Sequence, residues 1–217
     1  MLSRNRLHVG VLSLESALMN GASQLGLSIA PEIRQKMLAY MLLLQKWNKV
    51  YSLTAIHQPE RMISHHLLDS LAALPHLWPG QWLDVGSGAG LPGLVLALMR
   101  PEWGFTLLDS NSKKVSFVQQ AIIELGLNNV SVYCIRVEEW KPGKKFDGII
   151  SRAFAEVSLF TTLTRHLLAN DGAWVAMKGS PDQELERLPT GVEAKRIITL
   201  QVPSLNAARC LVLLKAT

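Results

Sequence analysis

Hydrophobic positions recur every three or four residues up to about residue 78, which predicts helices in this part of the chain. Between Ile33 and Trp47 the apolar side chains fall on one helical face, and Pro31 provides a start signal. A second run, from about Pro59 to Leu74, also places its apolar and small side chains on one face: Met62, Ile63, His66, Leu67, Ser70 and Leu71. Residues 1–78 are therefore expected to form a helical N-terminal cap.

From Gln81 onward the pattern changes to short apolar runs separated by helical stretches, which is typical of a parallel sheet covered on both faces. Strands are predicted at 81–86, 104–109, 130–135, 146–151 and 173–178, and helices at about 91–100, 112–126 and 156–169. The last helix is expected to close at Asn170-Asp171-Gly172. Two further strands, 194–202 and 209–216, have no helix-length segment between them and must pair antiparallel. Residues 79–217 are thus predicted to form an α/β, doubly wound, seven-stranded sheet that ends in an antiparallel pair.

The composition is that of a globular protein, with 217 residues, of which 48% are hydrophobic and 18% charged. The uncharged stretches are broken by Gly, Pro, Ser and His before they reach the length of a membrane span, so no membrane partner is expected. The first residues carry Glu15 and no small-residue cleavage site, which favours a cytoplasmic location. A net charge of +5 permits a polyanionic partner without requiring one.

The cysteine and histidine content gives little sign of a metal site. Cys134 and Cys210 both lie in apolar, strand-like runs, which favours reduced core thiols. His65 and His66 are adjacent, so on a helix they point apart, and no Cys or clustered His completes a ligand set. We expect no metal.

The first predicted strand runs into the glycine-rich turn Asp84-Val85-Gly86-Ser87-Gly88-Ala89-Gly90-Leu91-Pro92-Gly93. This is the place where an open α/β sheet binds a ligand. Glycines at 86, 88 and 90 let the chain turn sharply and allow close approach of a nucleotide. Asp84, at the tip of the strand, is suited to accept hydrogen bonds from a cationic ammonium group.

A second acid, Asp109, ends the next strand, 23 residues after Gly86, where it can hold ribose hydroxyls. The two features admit two cofactors. Residues 88–93 match G-x-G-x-x-G, so a nicotinamide dinucleotide must be considered. The chain, however, has no second mononucleotide half and ends in an antiparallel pair, and S-adenosylmethionine, which needs one nucleotide pocket, fits better.

The chain also carries a series of short motifs in order along nearly its whole length: Trp47-Asn48-Lys49, Leu53-Thr54, His66-Leu67-Leu68-Asp69-Ser70, the glycine turn, Leu108-Asp109-Ser110, Arg136-Val137-Glu138-Glu139, Phe146-Asp147-Gly148, Ser151-Arg152-Ala153-Phe154 and Lys178-Gly179. With them the sequence resembles the ribosomal RNA small-subunit methyltransferase G family, among the class I S-adenosylmethionine methyltransferases with a Rossmann-like sheet. The resemblance implies methylation of N7 of one guanine in 16S ribosomal RNA, with that RNA or the small subunit as partner and no DNA.

The resemblance also implies a set of cofactor contacts: Gly86, Leu91, Asp109, Val137, Glu138 and Arg152. A carboxylate at Glu138 with adjacent backbone groups suits the adenine edge. For the acceptor side we consider Arg152, Phe154 and His66 as positioning candidates, and we assign no catalytic residue firmly.

What the sequence lacks gives an independent view of the reaction. The place after the fourth strand reads Ser151-Arg152-Ala153-Phe154 and not the Asn/Asp-Pro-Pro-aromatic run that exocyclic amine methylation uses. Both cysteines are expected inside strands, which disfavours a nucleophile for pyrimidine C5. N7 of guanine carries a lone pair and no proton, so its methylation needs positioning and no general base.

Two other readings of the sequence remain open. A class I methyltransferase acting on a protein or a small molecule would bind the cofactor without salt-sensitive RNA affinity. A non-enzymatic RNA-binding assembly factor would bind RNA without turnover. For an RNA partner, the available phosphate contacts are Arg34, Lys36, Lys46, Lys49, Lys113, Lys114, Lys141, Lys144 and Lys145.

Overall fold

The fold is known from a computed structural model that describes residues 2–180 and 182–217. Helices occupy the first third of the chain, and an alternation of strands and helices occupies the rest. The α-helices are α1 Leu2–Gln24, α2 Pro31–Tyr51, α3 Pro59–Met62, α4 Asp69–Ala73, α5 Gly93–Met99, α6 Ser112–Leu125, α7 Val157–Thr164 and α8 Asp182–Leu185. The strands are β1 Gln81–Val85, β2 Gly104–Asp109, β3 Val130–Cys134, β4 Phe146–Arg152, β5 Leu168–Lys178, β6 Val192–Thr199 and β7 Cys210–Ala216.

The seven strands form one sheet in the order β3-β2-β1-β4-β5-β7-β6. Strands β1 to β5 are parallel, and β7 lies antiparallel between β5 and β6. The predicted doubly wound sheet with an antiparallel C-terminal pair is therefore confirmed. The direction in which successive strands are added reverses between β1 and β4, and this reversal opens a crevice at the carboxyl ends of these two strands.

One buried cluster covers each face of the sheet. On the first face, α5 and α6 pack together with α1, α2 and α4, in a cluster that extends from Leu14 to Leu211. On the second face, α7 packs over β1, β4 and β5 around Phe146, Phe160 and Trp174. The predicted helical cap therefore shares its core with the sheet, and the division at residue 78 stays a prediction.

Local signals fix several element boundaries. The side chain of Asn111 accepts hydrogen bonds from the N–H groups of Lys113 and Lys114 at the start of α6, and Gly126 ends that helix at φ +61°. Between α3 and α4 the helix continues through residues 63–68 with π-type hydrogen bonding, and a 3₁₀ turn extends it to His76.

None of the helices in the part of the chain described is both long and apolar enough to cross a membrane.

Two predictions, one about the start of β5 and one about Cys134 in β3, are wrong. The helix predicted at 156–169 ends at Thr164, because Leu168 pairs with Phe146 and starts β5, so that residues 170–172 lie inside a strand. Cys134 is exposed, since β3 is an edge strand whose last two residues are uncovered, and only Cys210 is a buried thiol.

Candidate functional site

Three adjoining cavities lie at the carboxyl ends of β1, β2, β3, β4 and β5. The acid cavity, of about 310 Å³, contains the two carboxylates Asp109 and Glu138, and its other lining residues are Val85, Gly86, Leu108, Ser110, Lys114, Ile135, Arg136, Val137, Ala153, Phe154 and Leu163. The glycine cavity, of about 200 Å³, is lined by Leu53, Thr54, His66, Gly86, Ser87, Gly88, Ala89, Leu91, Lys114, Arg152 and Ala153. The arginine cavity, of about 480 Å³, is lined by Thr54, Ala55, Ile56, His65, His66, Asp69, Arg152, Ala153, Met177, Lys178, Gly179 and Arg209.

Ala153 is the residue shared by all three cavities. It directly follows β4 and has a left-handed backbone at φ +58°, a conformation that non-glycine residues adopt mainly at special sites. The residue before it, Arg152, lines the glycine and arginine cavities, whereas Phe154 lines the acid cavity. The side chains of Arg152 and Phe154 are two positions apart in the sequence, and the strained turn at Ala153 between them directs them to different cavities.

The glycine turn is held to β2 through Asp109. One oxygen of its carboxylate accepts a hydrogen bond from the N–H of Gly88 at 2.9 Å, and the other accepts from the N–H of Asn111 at 2.9 Å. Gly88 has φ +59°, and a methyl group there would point into open space, with no protein atom within 4 Å. The backbone at Gly88 therefore borders the glycine cavity directly.

Asp84 lies behind the turn. Its side chain is fully buried, and Oδ2 accepts a hydrogen bond from the N–H of Gly93 at 2.8 Å, at the start of α5. Oδ1 is buried without a partner in the described part of the chain, and so is Oγ of Ser87. Burial raises the pKa of Asp84 to about 7, against the smaller lowering effect of the Gly93 N–H.

Two buried oxygens at the end of β1 and in the glycine turn, Oδ1 of Asp84 and Oγ of Ser87, are thus left without a hydrogen-bond partner among the described residues. Neither Asp84 nor Gly90 lines the three cavities. A Cβ at Gly90 would clash with Leu94 and Val118, so this glycine allows the turn to pack on α5 and α6.

The predicted residues after β3 lie at the far side of the acid cavity. Val137 is buried in a 3₁₀ turn over residues 137–139, and Glu138 is exposed on 45% of its side chain, 4.0 Å from Arg136. Lys114 faces the same cavity, and its Nζ lies 3.9 Å from Oδ2 of Asp109. These groups give the acid cavity a polar rim.

The arginine cavity is built by residues far apart in the chain. Asp69, with 2% of its surface exposed, accepts hydrogen bonds from Arg152 at the end of β4 and from Arg209 at the start of β7. Lys178, at the end of β5, is held by the carbonyl of Ala155 and the carboxylate of Glu184. The described residues that line this cavity thus include three cations and one carboxylate, Asp69, which has both oxygens engaged.

His66 stands between the glycine and arginine cavities, where its Nε2 lies 3.0 Å from the hydroxyl of Thr54. Burial, with a further contribution from Arg152, lowers the pKa of His66 to about 4, so the ring is neutral at physiological pH. Asn48 positions Thr54 through hydrogen bonds to its N–H and its carbonyl. The side chains of Asn48, Thr54 and His66 thus connect α2 to the site.

Sequence reasoning did not single out four of these residues. Tyr40 of α2 donates a hydrogen bond to the carbonyl of Ala89 in the glycine turn, at 2.7 Å. Thr54, Lys178 and Arg209 line the arginine cavity. Thr54 and Lys178 occur in the quoted motifs, but no local signal marks Arg209, which only the strand order brings beside Asp69.

Among the described residues, no group of three or more His, Cys, Asp or Glu side chains is arranged to hold a metal. The polar groups of the site are instead carboxylates, arginines and backbone N–H groups around an elongated set of cavities. Such a site suits an organic molecule with hydroxyl, amino and ring nitrogen groups.

The strand order, the glycine turn and the crevice at the strand ends are those of the class I methyltransferase fold. The fold matches the crystal structure of a SAM-dependent methyltransferase from Aquifex aeolicus with a TM-score of 0.56 at 18% identity, over 75% of this chain and 96% of that chain. The profile of the family described as rRNA small subunit methyltransferase G matches residues 33–212. The chain belongs to this family.

Relatives of nearly the same length agree with this assignment. Ribosomal RNA small subunit methyltransferase G of Methylobacillus flagellatus is 51% identical over 203 residues, which are 94% of this chain and 98% of the relative. The protein of the same name from Laribacter hongkongensis is 49% identical over 202 residues, 93% of this chain and 98% of the relative. The resemblance seen in the sequence motifs is confirmed, and S-adenosylmethionine is the methyl donor.

Proposed function

We propose that this protein transfers a methyl group from S-adenosylmethionine to N7 of a guanine in 16S ribosomal RNA. Its partner is the free RNA or the small ribosomal subunit, and its location is the cytoplasm, where that substrate is found. The names of the relatives support the RNA substrate. The chemistry of the arginine cavity supports N7 as the methylated atom.

The acid and glycine cavities suit the methyl donor. Asp109 and Glu138 lie where carboxylates can accept from ribose hydroxyls and from the adenine edge, and Val137, Leu91, Gly86 and Gly88 complete the walls. The unpartnered oxygens of Asp84 and Ser87 suit the amino group of the methionine part, with Asp84 acting from behind the turn. When bound, the donor supplies an electrophilic methyl group on a sulfonium.

Phe154 and Arg152, both of them positioning candidates from the sequence, line different cavities of the site. Phe154 packs edge-on against Phe160 and lines the acid cavity, so its placement favours the adenosine side over the target base. Arg152 lines the arginine cavity and the glycine cavity but not the acid cavity, so its placement suits a position between the acceptor and the methyl donor.

The proposal that N7 is the methylated atom rests on one observation: both carboxylate oxygens of Asp69 already accept hydrogen bonds from arginines. Methylation of an amine or a hydroxyl requires that a proton leave, and a general base must lie within hydrogen-bond reach of it. Among the described residues that line the arginine cavity, Asp69 is the sole carboxylate, and two arginines engage it. Nε2 of the neutral His66 faces Thr54. A guanine N7 has no proton to lose, so this site needs only to align the two reactants.

Strand cleavage at the methylated guanine tests this proposal. Methylation at N7 places a fixed positive charge on the ring and weakens the glycosidic bond, so borohydride reduction followed by aniline cuts the RNA there. We expect one new cut at a guanine of small-subunit RNA with the wild-type protein, and a strong loss of the cut with Arg152→Ala.

The matched control is Arg165→Ala, because Arg165 contacts the carbonyl of Gly191 at the opposite end of the sheet. This variant should cut like wild type. RNA that takes up label from the methyl donor but resists cleavage would show another methylated atom. An absence of labelled RNA with labelled protein or small molecule would show another acceptor.

A further inference from the structure

The helix that carries His65, His66 and Asp69 departs from α-helical hydrogen bonding at this point. In a regular helix the N–H of Asp69 donates to the carbonyl of His65, four residues earlier. Here it donates to the carbonyls of Ser64 and His66, as part of the π-type segment of residues 63–68. Segments of this kind occur frequently at functional sites.

The carbonyl of His65 accepts a hydrogen bond from Arg152 instead. Nη1 of Arg152 lies 2.8 Å from that carbonyl oxygen and 2.9 Å from Oδ2 of Asp69. One turn of the helix therefore offers a single guanidinium nitrogen both a backbone oxygen and a carboxylate oxygen. Because the N–H of Asp69 bonds to other carbonyls in the π-type segment, it does not occupy the His65 carbonyl, which accepts from Arg152.

The other oxygen of Asp69 holds a second arginine. Nε of Arg209 lies 3.0 Å from Oδ1, and one of the Arg209 Nη atoms donates to the carbonyl of Ala208. Arg152 and Arg209 come from β4 and β7, which are separated in the sheet by β5. A buried carboxylate on a helix of the other layer thus sets the relative position of two cations from different strands.

Arginine side chains have several rotatable bonds, and their use in recognition depends on how much of this freedom is removed in advance. The contacts to Asp69 and His65 use one terminal nitrogen of Arg152 and the Nε of Arg209. The second terminal nitrogen of Arg152 and the second terminal nitrogen of Arg209 are then available to donate at the rim of the cavity. Both arginines line the cavity that we assign to the acceptor.

We propose that Asp69 is a positioning residue for methyl transfer: through the π-type turn it fixes Arg152 and Arg209 in the orientation that holds the target guanine. This inference rests on the proposed function and adds the residue that aligns the acceptor. Asp69 itself does not act as a base, because both its oxygens already accept from guanidinium groups. Its removal should slow transfer in the bound complex and leave binding of the methyl donor intact.

The test compares three variants with the wild type: Asp69→Asn, Asp69→Glu and Ser70→Ala. Asp69→Asn keeps the shape and removes the charge, and Asp69→Glu restores the charge one methylene further out. Ser70 is the matched control, since it is buried in the same turn and donates to the carbonyl of His66 without touching either arginine. Calorimetric titration with S-adenosylmethionine gives the fraction of competent sites, and a single-turnover measurement at saturating RNA gives the transfer rate.

We expect Asp69→Asn to bind the methyl donor with wild-type stoichiometry and affinity, while the single-turnover rate falls by about 100-fold, the loss typical of a small misplacement. Asp69→Glu should recover part of the rate, and Ser70→Ala should keep it. If Asp69→Asn does not fold, the rate of Asp69→Glu carries the test, because it must lie below wild type at full donor stoichiometry.

Three results would overturn the inference. One is a wild-type transfer rate in Asp69→Asn or, where only the glutamate variant folds, in Asp69→Glu. Another is a loss of rate that only mirrors a loss of donor-binding sites, and the third is an equal loss in Ser70→Ala. A wild-type protein that binds the donor but never methylates RNA would overturn the proposed function, and this inference with it.

Discussion

At the scale of one residue, burial changes the ionisation of Asp84 beside the proposed donor site. Its carboxylate has one N–H donor, from Gly93, and is otherwise removed from solvent, which raises its pKa to about 7. A neutral carboxylic acid costs little to bury, whereas an ionised one needs a cation or further donors. The positive charge of the proposed methyl donor's amino group, on the cavity side of the turn, would stabilise the ionised form, so binding should favour it.

Donor affinity is therefore predicted to depend on pH. With a pKa of about 7, roughly a tenth of the free protein carries an ionised Asp84 at pH 6 and roughly three quarters at pH 7.5, so affinity should rise about eightfold between these pH values. Proton release should accompany binding at pH 6, and titration calorimetry in two buffers of different ionisation enthalpy measures it. Asp84→Asn should bind more weakly and with a flat profile between these pH values.

The raised pKa of Asp84 also affects the stability of the fold, which should fall as pH rises, whereas donor affinity should increase. In the unfolded chain the carboxyl ionises near 3.8, so between about pH 4 and pH 7 the folded donor-free protein holds a proton that the unfolded chain has lost. The contribution of Asp84 to stability should thus fall as pH rises through this window. A wild-type affinity that does not change between pH 6 and 7.5 would contradict this account of Asp84.

At the scale of elements, the turn between β1 and α5 connects the sheet to the cap. Tyr40 of α2 holds the carbonyl of Ala89, Asp109 of β2 holds the N–H of Gly88, and Asp84 of β1 holds the N–H of Gly93. Three elements thus fix a turn whose central glycine faces open space. The shape of the cavity is set before any ligand enters, which reduces the entropy lost on binding.

Gly88→Ala is predicted to weaken donor binding through close contact. The methyl group would occupy the glycine cavity, and overfilling a tight contact costs about 1–3 kcal/mol, so affinity should fall about tenfold or more. Gly143→Ala is the matched control, because Gly143 has φ +71° and also faces open space, but lies in the loop before β4. Both variants should lose about 1 kcal/mol of stability from the left-handed backbone.

Thermal unfolding measures the shared loss of stability, and calorimetric titration with S-adenosylmethionine measures the difference between the two variants. Equal affinities in Gly88→Ala and Gly143→Ala would place the methyl donor elsewhere.

At the scale of the whole molecule, the predicted phosphate contacts do not form one class. Lys114 lines the acid and glycine cavities beside Asp109, so reversing its charge would disturb donor binding as well as RNA binding. Lys113, one residue earlier at the start of α6, is exposed and does not line these cavities. Only Lys113 of this pair offers a clean test of RNA affinity.

RNA affinity is predicted to fall linearly on a log–log plot against salt concentration, with a slope of about 0.7 to 0.9 per phosphate contact. If Lys113 makes one such contact, Lys113→Glu should lower the slope by about this amount and leave donor affinity unchanged. Filter binding or fluorescence anisotropy with small-subunit RNA over a range of salt concentrations gives the slope. A wild-type slope near zero would favour a protein or small-molecule acceptor.

The sequence by itself determined the features that depend on neighbouring residues. Asn111 and Gly126 mark the ends of α6 because a cap and a left-handed residue act within one turn. The glycine turn follows β1 directly and Asp109 is the last residue of β2, and the alternation of strands and helices with its closing antiparallel pair indicated the fold. The motifs, in their order along the chain, indicated the family, because each motif can be recognised from its own residues without knowledge of the tertiary structure.

Only the tertiary structure decided which distant residues meet. Asp69 and Arg209 are 140 positions apart, and they come together because β7 inserts between β5 and β6, a register that no local pattern specifies. The early start of β5 was likewise set by the pairing of Leu168 with Phe146, where helical and strand patterns coincide. The exposure of Cys134 depended on β3 being an edge. Pairing between strands is a long-range choice, and for this reason the acceptor side of the site emerged only from the fold.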